Sequence, residues 1–141
     1  MMMKQTITID KSSIVSDVAN ITGYTGRNVE GGIDRISTTE DESKIINRLV
    51  ERAYNAVVAL LYPYKPTTNS NTITIDVPAN FDTSVTSQLS EEAENYCVNF
   101  VCTEWFVVAR QADDANAYGA YREANKANLL NLVSRRLKPT K

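Results

Sequence analysis

The sequence predicts a mainly α protein, a helical bundle of three to four helices with a small two-stranded β element, in one domain over residues 1–141. Three observations carry that expectation. Residues 90–110, SEEAENYCVNFVCTEWFVVAR, are apolar on nearly every side of a helix. Residues 39–61 and 113–137 repeat small or apolar residues at three- and four-residue steps, the helical period. The pentapeptide TITID occurs at 6–10 and again at 72–76, with the two-residue alternation of a strand.

In chain order, residues 4–10 form a short strand with Ile7 and Ile9 on one face. Its twin carries Ile73 and Ile75. Either the two pair and bury four isoleucines, or one lies on an edge that a neighbouring subunit can extend. Ser12 or Ser13 caps a first short helix carrying Ile14, Val15, Val18 and Ala19, which stops by Gly23. Residues 23–37, GYTGRNVEGGIDRIS, hold four of the five glycines and read as a loop. A phosphate cradle is the sharper reading of that loop, but no Gly-Lys-Ser/Thr follows it.

A second helix starts at Thr39, with Glu42 completing a capping box. Ile45, Ile46, Leu49, Val50, Ala53, Tyr54, Val57, Leu60 and Leu61 form its apolar face. Lys44, Asn47, Arg48, Glu51, Arg52 and Asn55 cover the other side. Pro63 and Pro66 end it, because proline blocks continuation. Residues 67–71 are a polar link into the second strand. Pro78, Asn80 and Asp82 then turn the chain, with Phe81 anchoring the turn on the core.

The central helix takes Ser90 as its N-cap, with Glu91, Glu92 and Glu94 in its first turn. Its polar remainder is a narrow stripe through Asn95, Asn99 and Thr103. Such a helix is either central in a bundle or covered by another chain. It is not a membrane span, since its longest apolar run is residues 105–109 and a span needs about 20 residues. Asp113 or Asp114 caps a last helix to about Leu137. Its inner face is expected to be Ala117, Ala120, Ala124 and Ala127, with Gly119 and Tyr121 among them, small enough to let Trp105 and Phe106 pack across them, and Leu130, Val133 and Leu137 widen it later.

Composition limits the chemistry. There is no histidine, which removes the commonest acid–base group and metal ligand. No catalytic, cofactor-binding or metal-ligating set is expected, and no cofactor. Cys97 and Cys102 lie about 140° apart on one helix and read as buried small apolar residues. The start of the chain has no hydrophobic signal region, which points to a reducing interior. Glu104 interrupts the most apolar run, either as a buried acid or, on the plainer reading, as a border residue reaching solvent or an arginine. The net charge is −2, but residues 122–141 carry +5. Those cations complement a helix carboxyl end, or they face an acidic partner or nucleic acid.

The helix over residues 39–61, the aromatic helix ending ENYCVNFVCTEWFVVAR and the segment AYGAYREANKANLLNLVSRRLK together resemble the small head–tail connector (adaptor) proteins of tailed bacteriophages. Those proteins form rings beneath the portal. The TITID strands and glycine-rich loop depart from the simplest all-helical connectors. The resemblance implies a non-enzymatic neck subunit of a virion assembled in the bacterial host cytoplasm. Its implied partners are copies of itself and portal and tail proteins, with DNA near the basic carboxyl end, and no membrane or small-molecule substrate. Two rival readings stand beside it. One is a bacterial helical interaction module forming a small homo-oligomer. The other is an enzyme using Glu104 and a tyrosine, for which a closed pocket around Glu104 is the minimum requirement.

Overall fold

The computed structural model describes residues 2–27, 40–108, 110–134 and 136. Along these, β1 (Met2–Thr8) leads into α1 (Lys11–Arg27), then α2 (Glu40–Leu60), β2 (Thr67–Asn69), β3 (Thr72–Pro78), α3 (Thr86–Val108) and α4 (Ala112–Val133). Short 3-10 turns at Tyr62–Tyr64 and Thr83–Val85 follow α2 and precede α3. The fold is mainly α, as the sequence predicts, but the sheet has three strands in the order β1-β3-β2.

The two TITID segments pair. β1 and β3 are antiparallel, with Ile7 opposite Ile73 and Thr6 opposite Thr74. This register turns every isoleucine inward, and Ile7, Ile9, Ile73 and Ile75 are all fully buried. Burying each contributes roughly 1.5–3 kcal/mol relative to leaving it in water. The threonines line the opposite face, where Lys4 and Asp76 form an ion pair at 2.9 Å. The third strand lies within the expected polar link: Thr67–Asn69 folds back on β3 around Ser70 and Asn71. Its three side chains are exposed, so no apolar alternation marks it in the sequence.

The caps differ from expectation in an instructive way. Asp10, not a serine, caps α1: its Oδ1 accepts from the backbone N–H groups of Ser12 at 3.1 Å and Ser13 at 3.3 Å. The helix also continues through Gly23 to Arg27 instead of stopping at the first glycine. Thr39 lies outside the described residues, and the capping box with it. Ser90 is not the N-cap of the central helix, because α3 starts at Thr86, behind a 3-10 turn capped by Asp82. Freed from capping, Ser90 and Glu94 serve tertiary structure. The Ser90 hydroxyl accepts from Thr8 N–H at 3.0 Å, and the Glu94 carboxylate accepts from Asp10 N–H at 2.7 Å. Both bonds fasten the β1–α1 junction to α3.

α3 is the central element, packed against α1, α2, α4 and β1. Leu89, Ala93, Cys97, Val101, Cys102 and Phe106 are fully buried along it, and Trp105 nearly so. Phe81 anchors the preceding turn in the core. Val107 and Val108 instead stand 60% and 63% exposed at its far end. Ile45 of α2, expected on the apolar face, is likewise exposed, whereas Ile46, Leu49, Val50, Ala53, Tyr54 and Val57 are buried. α3 ends in a Schellman motif: Gln111 N–H donates to Phe106 O at 2.8 Å and Arg110 N–H to Val107 O at 3.1 Å. Arg110 holds the left-handed position at φ 60°.

α4 runs antiparallel to α3. Tyr118 meets Phe106 with ring centroids 5.5 Å apart, Asn125 meets Asn99, and Arg136 beyond the helix pairs with Phe81. Its inner face is not the alanine face. Val133, expected there, is buried with Ala115 and Leu129, and Gly119 is half-buried with Tyr118, Arg122 and Asn125, whereas Ala120, Tyr121, Ala124, Ala127 and Leu130 are exposed and Ala117 is only half-covered. The first turn carries Asp113 and Asp114, but Gln111 occupies the N-cap position. The helix ends at Val133, and Leu137 lies outside the described residues.

Candidate interaction surfaces

The polar residues that sequence reasoning singled out are mostly consumed in joining α3 to α4. The Asn95–Asn99–Thr103 stripe is solvent-facing only at Asn95. Asn99 donates from Nδ2 to Asn125 Oδ1 at 2.5 Å, and Asn125 Nδ2 donates to Glu92 Oε2 at 3.0 Å. Thr103 is buried and returns its hydroxyl to Asn99 O at 2.6 Å. The acidic group Glu91, Glu92 and Glu94 therefore does not converge: Glu92 serves α4, Glu94 serves β1–α1, and Glu91 points to water. Among the described residues, no three His, Cys, Asp or Glu side chains gather as a metal site.

Glu104 takes the plainer of its two expected roles. Its side chain is 41% exposed, and Arg122 Nη1 stands 3.7 Å from Oε1. Arg122 also lies over the Phe100 ring at 5.4 Å and 3.9 Å from Glu123. A carboxylate so open to water is not the enclosed acid that an enzyme built on Glu104 requires. Cys97 and Cys102 are free and buried, and burial pushes each thiol up to about 12. At neutral pH both remain protonated and weakly nucleophilic. Burial also raises Tyr54, Tyr96 and Tyr118. Tyr54 uses its hydroxyl structurally, donating to Thr72 O at 2.7 Å.

The basic segment does not form one patch among the described residues. Arg122 is engaged with Glu104 and Glu123, Lys126 is half-buried, and Arg136 donates to Val133 O at 3.0 Å beside the Phe81 ring. Arg135, Lys138 and Lys141 lie outside the described residues, as do residues 28–37 of the expected glycine-rich loop. The remainder of that loop, residues 23–27, is the last part of α1.

The most exposed large apolar side chains, Tyr62, Val107 and Val108, lie at two ends of the body, while Ile45 of α2 and Tyr121 and Leu130 of α4 are exposed elsewhere. Gln5 and Thr8 of β1 bond Thr86 and Ser90 of α3, so the sheet lies beside the first half of that helix. At this end Tyr62 is 77% exposed and joins Val58, Pro63, Lys65, Pro66 and Thr67 around an open groove. Val107 and Val108 stand at the other end of α3, about 30 Å away at 1.5 Å per residue. A groove lined by Phe106, Val107, Arg110, Ala112, Ala115 and Asn116 lies there. Sequence reasoning placed Val107 and Val108 in the core because period alone does not show where covering elements stop. Tyr62 was legible only as a helix stop.

No family model, curated protein or solved structure matches the chain. Among the described residues, no helix is long and apolar enough to cross a membrane.

Proposed function

We propose that this chain is a structural subunit of a phage or prophage virion, a head–tail connector whose copies form a neck ring linking portal to tail. The observation that carries the reading is the pair of unlike apolar patches at opposite ends of one helical body. One is built from Tyr62 and prolines beside the sheet, the other from Val107 and Val108. A linker needs a contact at each end, and ring subunits meet through two different faces. Apolar side chains grouped into a contiguous exposed patch mark interaction surfaces. The central helix, braced on several sides, supplies the stiffness a load-bearing collar needs. The groups most suited to chemistry are occupied: Glu104 by Arg122, and the thiols by burial.

Deleting the gene from a phage that carries it tests the role. The expected result, by negative-stain microscopy, is filled heads and separate tails. Normal tailed particles would overturn the proposal.

A further inference from the structure

The sheet order β1-β3-β2 gives β1 a neighbouring strand on one side only. Ile9 N–H donates to Asn71 O at 2.6 Å, so Ile9, Ile7, Gln5 and Met3 turn their backbone groups towards β3. The alternate residues, Met2, Lys4, Thr6 and Thr8, turn theirs away. Two features fit this phase. Pro78, which has no N–H to give β1, stands opposite Met2, and Thr8 N–H is free to reach Ser90 Oγ at 3.0 Å on α3. That bond closes the edge at Thr8. Among the described residues, nothing bonds the backbone N–H or C=O groups of Lys4 and Thr6, and both residues are exposed.

Native proteins commonly close a strand edge with proline, with charge or with a covering element. β1 carries no proline, and its one charge, Lys4, is matched within the sheet by Asp76 at 2.9 Å. The open row of donors and acceptors has the spacing of another extended backbone, which can satisfy it in full.

Charge and face identify the kind of strand. The Lys4 side chain stays 72% exposed beside Asp76, which leaves its ammonium open to a second carboxylate. On the core-facing side Met3 is only partly covered, so an apolar side chain beside it extends the core. An acid opposite Lys4 flanked by apolar residues is the pattern of β3 itself, where Asp76 stands opposite Lys4 and Ile75 and Val77 are buried. A second copy of this chain does not offer that pattern. Its β3 lies between β1 and β2, and pairing two copies of residues 2–6 antiparallel sets Lys4 against Lys4. Its other TITID stretch is engaged at Asp10, which caps α1 and gives its N–H to Glu94.

We propose that residues 2–6 take up an extended segment of another protein as a fourth strand. The segment runs antiparallel to β1, with β-branched apolar residues towards the core and an aspartate or glutamate opposite Lys4. The inference does not rest on the virion reading.

Amide-resolved NMR of the full chain tests it, with a synthetic peptide of residues 71–78, NTITIDVP, as the probe. Without peptide, the Lys4 and Thr6 amides are expected to exchange with solvent quickly and those of Gln5 and Ile7 slowly. Added peptide is expected to shift the Lys4 and Thr6 signals and to slow their exchange. The same peptide with lysine in place of its aspartate is expected to bind several-fold more weakly. Thr6→Pro removes an outward N–H and leaves the bonds between β1 and β3 in place, so it is expected to abolish binding. Lys4→Glu is expected to reverse the preference between the two peptides, and it decides the matter even if Thr6→Pro does not fold. Lys4 and Thr6 signals that ignore the peptide at millimolar concentration, or a Lys4→Glu chain that keeps the aspartate preference, would overturn the proposal. Protection of the Lys4 and Thr6 amides in the free chain, growing with its concentration, would mean that a second copy fills the edge and would also overturn it. The gene-deletion result is unaffected by either outcome, and the reverse also holds.

Discussion

At the scale of single residues, side chains that suit a local role are used at long range. Ser90 and Glu94 have the chemistry of helix starts, yet they hold the backbone of Thr8 and Asp10. Asp10 does the capping. Hydrogen bonds from Ser12, and then from the backbone of Ser13, hold its carboxyl below the usual aspartate range. The stability this contributes is present above the unfolded-state value, about 3.9, and is lost as pH falls through the lower folded value. Asp10→Asn keeps a good cap but removes the charge. The urea midpoint of the variant is therefore expected to fall less than that of wild type between pH 5 and strongly acidic pH, where a parallel fall would contradict the assignment. Trp105, 4% exposed on the central helix, makes the complementary apolar case. Trp105→Ala is expected to cost about 3–5 kcal/mol in a urea titration. A loss below about 1 kcal/mol would mean that α3 is not the core element.

At the scale of elements, two backbone positions, one in the α3–α4 turn and one inside α4, call for opposite substitutions with the same expected direction. Arg110 occupies a left-handed conformation that costs a residue with a β-carbon about 1–2 kcal/mol, so Arg110→Gly is expected to raise the urea midpoint. Gly119 sits inside α4, where an added β-carbon would meet Thr103 Cγ2 at an ordinary 3.7 Å. Gly119→Ala is expected to stabilise by up to about 1 kcal/mol through helix propensity. A lowered midpoint in either variant would contradict the geometry described.

These elements also show which parts of the fold could be read from sequence. The two TITID strands were legible because alternation and β-branching agree; their pairing with each other was one of two readings, and the register that places all four isoleucines inside decides for it. The centrality of α3 was legible from apolar residues on every side. β2 was not, since a strand exposed along its whole length carries no alternation. The orientation of α4 was not legible either. Alanine fits an interior face or a wet one equally well; of the expected face Val133 is buried, and the rest of the inner face is marked by Tyr118, Asn125 and Leu129. The alanine spacing was visible and its outward direction was not. The exposure of Tyr62, Val107 and Val108 depends on where other elements end, which no local pattern encodes.

At the scale of the whole molecule, a stiff body with α3 at its centre presents one apolar patch beside the sheet and another some 30 Å along the helix. The sheet braces the first half of α3, α4 lies antiparallel along it, and Arg136, just past α4, packs on Phe81. That arrangement suits an adaptor that holds two larger assemblies at a fixed separation. The role we propose places this chain in the neck of a virion. Quantitative mass spectrometry of purified phage particles, grown on or induced from the organism that carries the gene, tests it most directly. The chain is expected in every preparation at a low, fixed copy number relative to the major capsid protein, as a single ring requires. Particles that carry the gene and lack the chain would contradict it.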